Sequence, residues 1–261
     1  MTRVAILGLG DAGGRYFRGL TAAGATVRGF DPFTEPADGV RREDDVAATV
    51  AGAEIVLSLV GAHAAVEAAD AALPLLDAGA IYADMNTASR AVKTEVATQG
   101  RRHARSVVDV AVLAPVHRAA ERTPLLVTGD DAAAFARVFA AYGAPVEAHA
   151  GVVGDAAELK LLRSVFMKGL SALVIESLDT ARALGAEDWL RGQIAGELAA
   201  PGAGEDETAA VRHLVDGAHK HAARREREVR DALAIVESTG LPADMTRATL
   251  VWAARILAER G

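Results

Sequence analysis

The chain contains no cysteine, which excludes a disulfide framework, a thiolate nucleophile and any cysteine-ligated metal. It also lacks a surplus of positive charge, since the formal net charge of its 261 residues is -7. Counterion release on nucleic acid requires a basic surface, so that class of partner is excluded. No apolar stretch reaches the roughly 18 residues of a membrane span. The apolar run near the start is broken by glycines and carries no cleavage pattern. These absences lead us to expect a soluble, cytoplasmic protein that works on small molecules, without membrane or nucleic-acid partners. There is no internal repeat, and the abundance of alanine reads as helix-forming composition rather than as a low-complexity linker. The length accommodates one large domain or two smaller ones around a substantial core.

The most informative segment lies within the first fifteen residues, where the β-prone run Arg3-Val-Ala-Ile-Leu7 leads into Gly8-Leu9-Gly10-Asp11-Ala12-Gly13. A Gly-x-Gly-x-x-Gly between a strand and a helix suits a dinucleotide. The first glycine makes the tight turn, the second admits the pyrophosphate, and the third lets helix and strand pack closely. The helix opening there directs free N–H groups at phosphate. A second strand follows and ends at Asp31, eighteen residues beyond Gly13. That is the expected position of a carboxylate for the adenosine ribose, and it favours NAD over NADP because a carboxylate repels a 2′-phosphate. Arg41 and Arg42 oppose this preference if the intervening loop folds them back over the ribose. Asp11 is out of character beside a pyrophosphate, unless it caps the helix or is offset by Arg15. The bland alternative for the whole motif is a glycine-rich turn without a nucleotide.

Short strand patterns alternate with helical ones up to about residue 150. Strands are expected at 4–7, 27–30, 55–59, 81–84, 107–110, 125–128 and 146–147, with helices such as 64–76 and 90–99 between them. This is the pattern of an α/β Rossmann fold with a doubly wound, mostly parallel sheet. Prolines and a glycine between residues 32 and 42 predict a loop and a trimmed sheet edge after the second strand. From 155 to 184 the apolar spacing predicts one long helix or two nearly continuous ones. Further helices are expected at 187–198, 206–238 and 243–259, separated by Pro201-Gly-Ala-Gly204 and Gly240-Leu-Pro242. The chain therefore divides into a dinucleotide-binding domain over 1–152 and an all-α C-terminal domain over 153–261.

Four further segments sit where a nicotinamide enzyme places its working residues: Ser58-Leu-Val60-Gly61, Asp84-Met-Asn86-Thr87, Asp109-Val-Ala-Val-Leu113-Ala114-Pro115, and Gly151-x-x-Gly154-x-Ala156-x-x-x-Lys160. Their order and spacing resemble the β-hydroxyacid dehydrogenase superfamily, which includes 3-hydroxyisobutyrate and 6-phosphogluconate dehydrogenases. The resemblance extends over almost the whole chain. Within it, Lys160-Leu-Leu-Arg163-Ser164-Val-Phe-Met-Lys168-Gly169 is similar to a divergent phosphogluconate-dehydrogenase-like branch with a distinctive C-terminal domain. The sequence departs from the superfamily where Ser-Gly-Gly of the substrate segment becomes Leu113-Ala114-Pro115, and where the asparagine of the catalytic helix becomes Ser164.

The resemblance implies Lys160 as general acid/base, with Ser164 one turn further along the same helical face. A lysine brought toward neutrality by burial suits proton exchange with an alcohol. It also implies cofactor contacts from Val60 and Asn86 in addition to the glycine loop. Substrate contacts are implied for Asn86, Thr87, Leu113, Ala114, Pro115 and Lys168. Asn86 and Thr87 equally suit a capping role after a strand, and Lys168 equally suits a solvated surface. His213, His219 and His221 do not form a metal set, because residues two apart on a helix point in opposed directions. The arginines from 224 to 230 alternate with Glu226 and Glu228 and read as a solvated face, although in the resembled superfamily this region of one subunit approaches its partner's site. The expectation is a homodimeric NAD(P)-dependent oxidoreductase acting on a small hydroxy acid or its keto form. Two alternatives stand beside it: C=N reduction of the imine-reductase type, and a dinucleotide-binding sensor or scaffold without turnover.

Overall fold

The computed structural model describes residues 1–199 and 209–259. Seven strands form one sheet: β1 Arg3–Leu7, β2 Thr26–Phe30, β3 Ile55–Ser58, β4 Ile81–Asp84, β5 Ser106–Val112, β6 Leu125–Thr128 and β7 Val146–Ala148, in the order β2-β1-β3-β4-β5-β6-β7. All neighbouring pairs are parallel except β5 with β6, where Asp109 lies opposite Thr128. Period-two alternation divides the central strands between two cores. Val4 and Ile6 face Tyr16, Phe17, Leu20 and Phe135, whereas Ala5 and Leu7 join Val56, Ala69 and Val96 on the opposite side. Strands buried on both faces need near-continuous apolar sequence, as these have.

The helices of this part are α1 Asp11–Ala22, α2 Val46–Val50, α3 Ala65–Ala72, α4 Arg90–Arg102 and α5 Ala132–Ala141. β2 is one edge of the sheet. Beyond it the chain makes a loop, a single bridge between Gly29 and Arg42, and the short α2, which Asp45 caps by accepting from Ala48 N at 2.7 Å. The chain leaves β1 to β2 on one side and returns to β3 on the other. The crevice at the carboxyl ends of β1 and β3 is thus the topological switch point where α/β sheets bind ligands.

A single 29-residue helix, α6 Asp155–Ala183, follows the sheet. The chain forms two compact units, residues 1–163 and 164–261, so the division falls within α6. The expected boundary was at residue 152. The first turns of α6 stay with the sheet because Asp109 Oδ2 accepts from Gly154 N (3.2 Å) and Ala157 N (2.9 Å), and Ala156 and Ala157 are buried.

The second unit adds α7 Glu187–Ala199, α8 Ala209–Lys220, α9 Ala222–Ser238 and α10 Asp244–Ala258. The helix expected over 206–238 is two helices, interrupted at His221, whose φ of -113° and ψ of 26° leave the helical region. Neither proline nor glycine marks that break in the sequence. Residues 206–208 and the Pro201-Gly-Ala-Gly204 separator lie outside the described residues.

Candidate active site

The glycine loop is built as its spacing implies. Gly8 has φ +91°, and a Cβ on it would stand 2.5 Å from Leu59 O. A Cβ on Gly13 would lie 1.9 Å from Gly8 O, so α1 can pack this closely on β1 only through glycine. At Gly10 the same construction meets nothing within 4 Å, and Gly10, the residue before α1, makes no side-chain cap. The loop thus offers an open cradle at a helix amino end, which fits a dinucleotide pyrophosphate. Asp11 pairs with Arg15 at 2.8 Å, and that hydrogen-bonded guanidinium holds its carboxyl below the ordinary range.

Asp31 closes the loop from the tip of β2. Its Oδ2 accepts from Leu9 N at 2.8 Å, and its Oδ1 accepts from Phe33 N and Thr34 N at 2.9 and 3.0 Å. Burial opposes the charge, but the N–H donors of Phe33, Leu9 and Thr34 outweigh it and hold the carboxyl below its ordinary value. Leu9 itself turns inward and packs over Gly29, where a Cβ would stand 2.7 Å from it. Beside Asp31 opens a cleft of about 340 Å³ with apolar walls from Phe30, Phe33, Val60 and Ala64, and with Asp31 and Glu67 as its charged residues. Its size and apolar character suit the adenosine half of a dinucleotide. Arg42 does fold back, its Nη1 lying 3.4 Å from Asp31 O.

A second cleft of about 380 Å³ is lined by Ala12, Asn86, Thr87, Ala114, Pro115 and Lys160, among others. Six residues singled out from four separate parts of the sequence therefore share one wall system. Lys160 Nζ donates to Thr87 Oγ1 at 3.2 Å. Burial lowers the pKa of Lys160, the Lys93 ammonium lowers it further, and Asp109 works in the opposite direction. Asn86 is buried with its side chain engaged: Oδ1 accepts from Gly61 N (2.7 Å), and Nδ2 donates to Asp84 Oδ1 (2.7 Å) and Ser58 Oγ (3.0 Å). It ties the end of β3 to the end of β4.

Other sequence-derived candidates lie elsewhere. Leu113 packs with Ala111, Leu126 and Ala156, and its carbonyl faces Arg163 at 3.4 Å. Val60 lines the cleft beside Asp31, not the one holding Lys160. Ser164 and Lys168 belong to the second unit.

Sequence reasoning missed a buried ionic cluster beneath the Lys160 cleft. Lys93 Nζ lies 3.0 Å from Asp109 Oδ1, 3.2 Å from Asp84 Oδ1 and 2.7 Å from Asp84 O, and all three residues are at most 1% exposed. One signal was available: Lys93 falls on the buried stripe of α4 with Val96, Ala97 and Gly100, at helical spacing.

Residues 3–153 match the family of the NAD-binding domain of 6-phosphogluconate dehydrogenase, and residues 181–256 match a domain of unknown function, DUF1932. A conserved hypothetical protein of Sinorhizobium meliloti 1021 is 32% identical, covering 97% of this chain and 88% of that one, with a TM-score of 0.61. The imine reductase from a Pseudomonas species is 17% identical over 99% of this chain and 94% of that one, with a TM-score of 0.79. Mycobacterium tuberculosis 3-hydroxyisobutyrate dehydrogenase, solved with L-serine, is 21% identical over 99% and 94%, with a TM-score of 0.68. The chain belongs to the family of the NAD-binding domain of 6-phosphogluconate dehydrogenase and has the fold common to hydroxyacid dehydrogenases and imine reductases.

Proposed function

We propose that this protein is a homodimeric, NAD-preferring oxidoreductase that interconverts a small hydroxy acid and its keto form, with Lys160 as the acid/base. The observation that carries this reading is the position of Lys160: half-buried, its ammonium hydrogen-bonded to Thr87, in a cleft beside the glycine loop that also contains Ala12. A nicotinamide dinucleotide held by the Gly8 to Gly13 loop and the cleft beside Asp31 would supply or take up the hydride. Lys160 holds the proton that leaves or joins the substrate oxygen. Its lowered pKa increases the neutral fraction available to accept a proton near neutrality. Oxidation therefore gains rate as pH rises through that pKa, and reduction loses it.

Thr87 orients the Lys160 amine, while Val112, Ala114, Pro115 and Val116 supply an apolar wall to the cleft. Pro115 has no N–H to donate. This favours a substrate with one polar end and a small apolar body over a phosphorylated sugar. The same apolar wall also favours a second reading, reduction of a C=N bond. Asp31 and Glu67 beside the first cleft disfavour a 2′-phosphate and support NAD, although Arg42, which folds back against the Asp31 carbonyl, acts in the opposite direction.

The test measures NADH and NADPH affinity by fluorescence titration, then turnover with a panel of hydroxy acids, keto acids and cyclic imines, for the wild type and Lys160→Met. The expected result is tighter NADH binding, retained in the variant, with kcat on a hydroxy or keto acid reduced about 10²–10⁴-fold. Turnover of imines alone would favour the second reading. Tight cofactor binding without turnover of any substrate would make the protein a dinucleotide sensor or scaffold.

A further inference from the structure

Lys93 exchanges no proton in the reaction proposed above, yet its cluster is attached to both sides of the Lys160 cleft. On one side, Asp84 Oδ1 accepts from Asn86 N at 3.0 Å and from Asn86 Nδ2 at 2.7 Å, holding the turn that presents Thr87. On the other, Asp109 Oδ2 receives the Gly154 and Ala157 N–H groups at the start of α6, the helix that carries Lys160. Lys93 joins the two aspartates. Its ammonium donates to Asp84 O at 2.7 Å and lies within ion-pair distance of Asp84 Oδ1 (3.2 Å) and Asp109 Oδ1 (3.0 Å).

We propose that Lys93 is a positioning residue for the candidate active site: its buried ammonium clamps the tips of β4 and β5, and through them fixes Lys160 opposite Thr87 and sets the field in which Lys160 works. The inference rests on reading Lys160 as the acid/base. A buried ion pair is a poor device for stability alone, because desolvation consumes most of the Coulombic gain. This one stands where a fixed charge has a use. Lys93 of α4 and Asp109 of β5 act on Lys160 with opposite sign, and with Asp84 of β4 the four groups carry two positive and two negative charges when all are ionised. The other charges where α4 meets the start of α6 are Arg90, Asp155 and Glu158, and these pair with one another.

The opposed signs make the proposal testable without turnover. The chain has only four lysines, Lys93, Lys160, Lys168 and Lys220, so lysine-selective 13C labelling resolves their Cε signals through a pH titration, with Lys160→Arg assigning the one of interest. In Lys93→Met a like charge is lost, and the Lys160 midpoint rises by about one pH unit. In Asp109→Asn, which keeps an acceptor for Gly154 and Ala157 N–H, an attracting charge is lost and the midpoint falls. A role confined to holding the fold would let Lys160 loosen into water in both variants, moving both midpoints up toward its ordinary 10.5. Midpoints that rise together, or that do not move, overturn the proposal. If Lys93→Met does not fold, Lys93→Gln, which keeps a donor for Asp84 O but no charge, takes its place: a rise beside a fall in Asp109→Asn supports the proposal, and no change in Lys93→Gln refutes it. The titration uses neither cofactor nor substrate, so an absence of hydride transfer would remove the oxidoreductase reading while leaving this result to be judged separately.

Discussion

A single methyl group separates two functions within the glycine loop. On Gly13 it would enter the carbonyl oxygen of Gly8 at 1.9 Å, a collision between backbone atoms that no rotamer relieves. On Gly10, whose φ of -60° and ψ of -167° suit alanine, it would meet no protein atom within 4 Å and would occupy the cradle itself. Gly13→Ala is therefore expected to destabilise the fold by about 3 kcal/mol, with cofactor binding lost only as a consequence. Gly10→Ala should leave the melting temperature within a degree or so, as for a neutral surface change, and weaken dinucleotide binding at least tenfold. Calorimetry and fluorescence titration on the two variants separate the effects. Equal losses of stability in both would mean that Gly10 serves the turn and not the ligand.

At the scale of elements, what holds an end in place is often a residue far away in the chain. Helix α10 follows Ala243, which has no capping side chain, and its first N–H groups are received instead by Glu176 of α6. Glu176 Oε2 accepts from Met245 N at 2.7 Å, and Oε1 accepts from Thr246 N and Thr246 Oγ1 at 2.8 and 2.6 Å. Burial works against this carboxylate, but the Thr246 hydroxyl, the two N–H donors and Arg247 outweigh it and lower its pKa below the ordinary 4.5. A carboxyl whose pKa is lower in the folded state stabilises fully above its unfolded value and loses that contribution as pH falls through the folded one. Glu176→Ala should thus cost about 1–2 kcal/mol near neutral pH, as loss of a helix cap does. The gap from wild type should close in acid, and Glu176→Gln should retain part of the cap. Urea unfolding followed at several pH values tests this, and a gap independent of pH would dismiss the carboxylate as its source.

Such long-range partners mark the limit of what the sequence makes legible. Strand positions, the long α6, the trimmed edge at β2 and the Gly8 to Gly13 turn follow from local periodicity and glycine placement, so they could be read from the chain. The joining of Asn86, Thr87, Ala114, Pro115 and Lys160 in one cleft was accessible only through family spacing, since no local rule brings strand ends together. Lys93 was passed over because a lysine is ordinarily a surface residue, and its burial depends on two aspartates on different strands. The break at His221 has no local signal at all. Leu113 belongs to the substrate segment by family spacing, and strand alternation beyond β5 packs its side chain in the apolar cluster with Ala156.

For the molecule as a whole, the uneven distribution of buried apolar surface is the main physical fact. Among the described residues, all three clusters of buried hydrophobic side chains lie within the first 163. Among the described residues of the second unit the buried apolar ones are Ala181, Ala209, Ala222, Val236 and Ala243, whereas Phe166, Trp189 and Trp252 are each 60% exposed or more. Soluble monomers rarely leave apolar patches of more than a few hundred Å² in water, and helices with large side chains outward and small ones inward lack a core of their own. The homodimer proposed above would supply one, through an interface of about 1,600 Å² or more. Sedimentation equilibrium should then give twice the 27.0 kDa chain mass at micromolar concentration, and Phe166→Asp should shift the species toward monomer or unfold the second unit. In either case the far-ultraviolet signal of the α/β unit should persist, because its clusters are complete without the partner. A wild-type mass of one chain at all concentrations would refute the dimer, and the exposed face of α6 would then need an occupant other than a second copy.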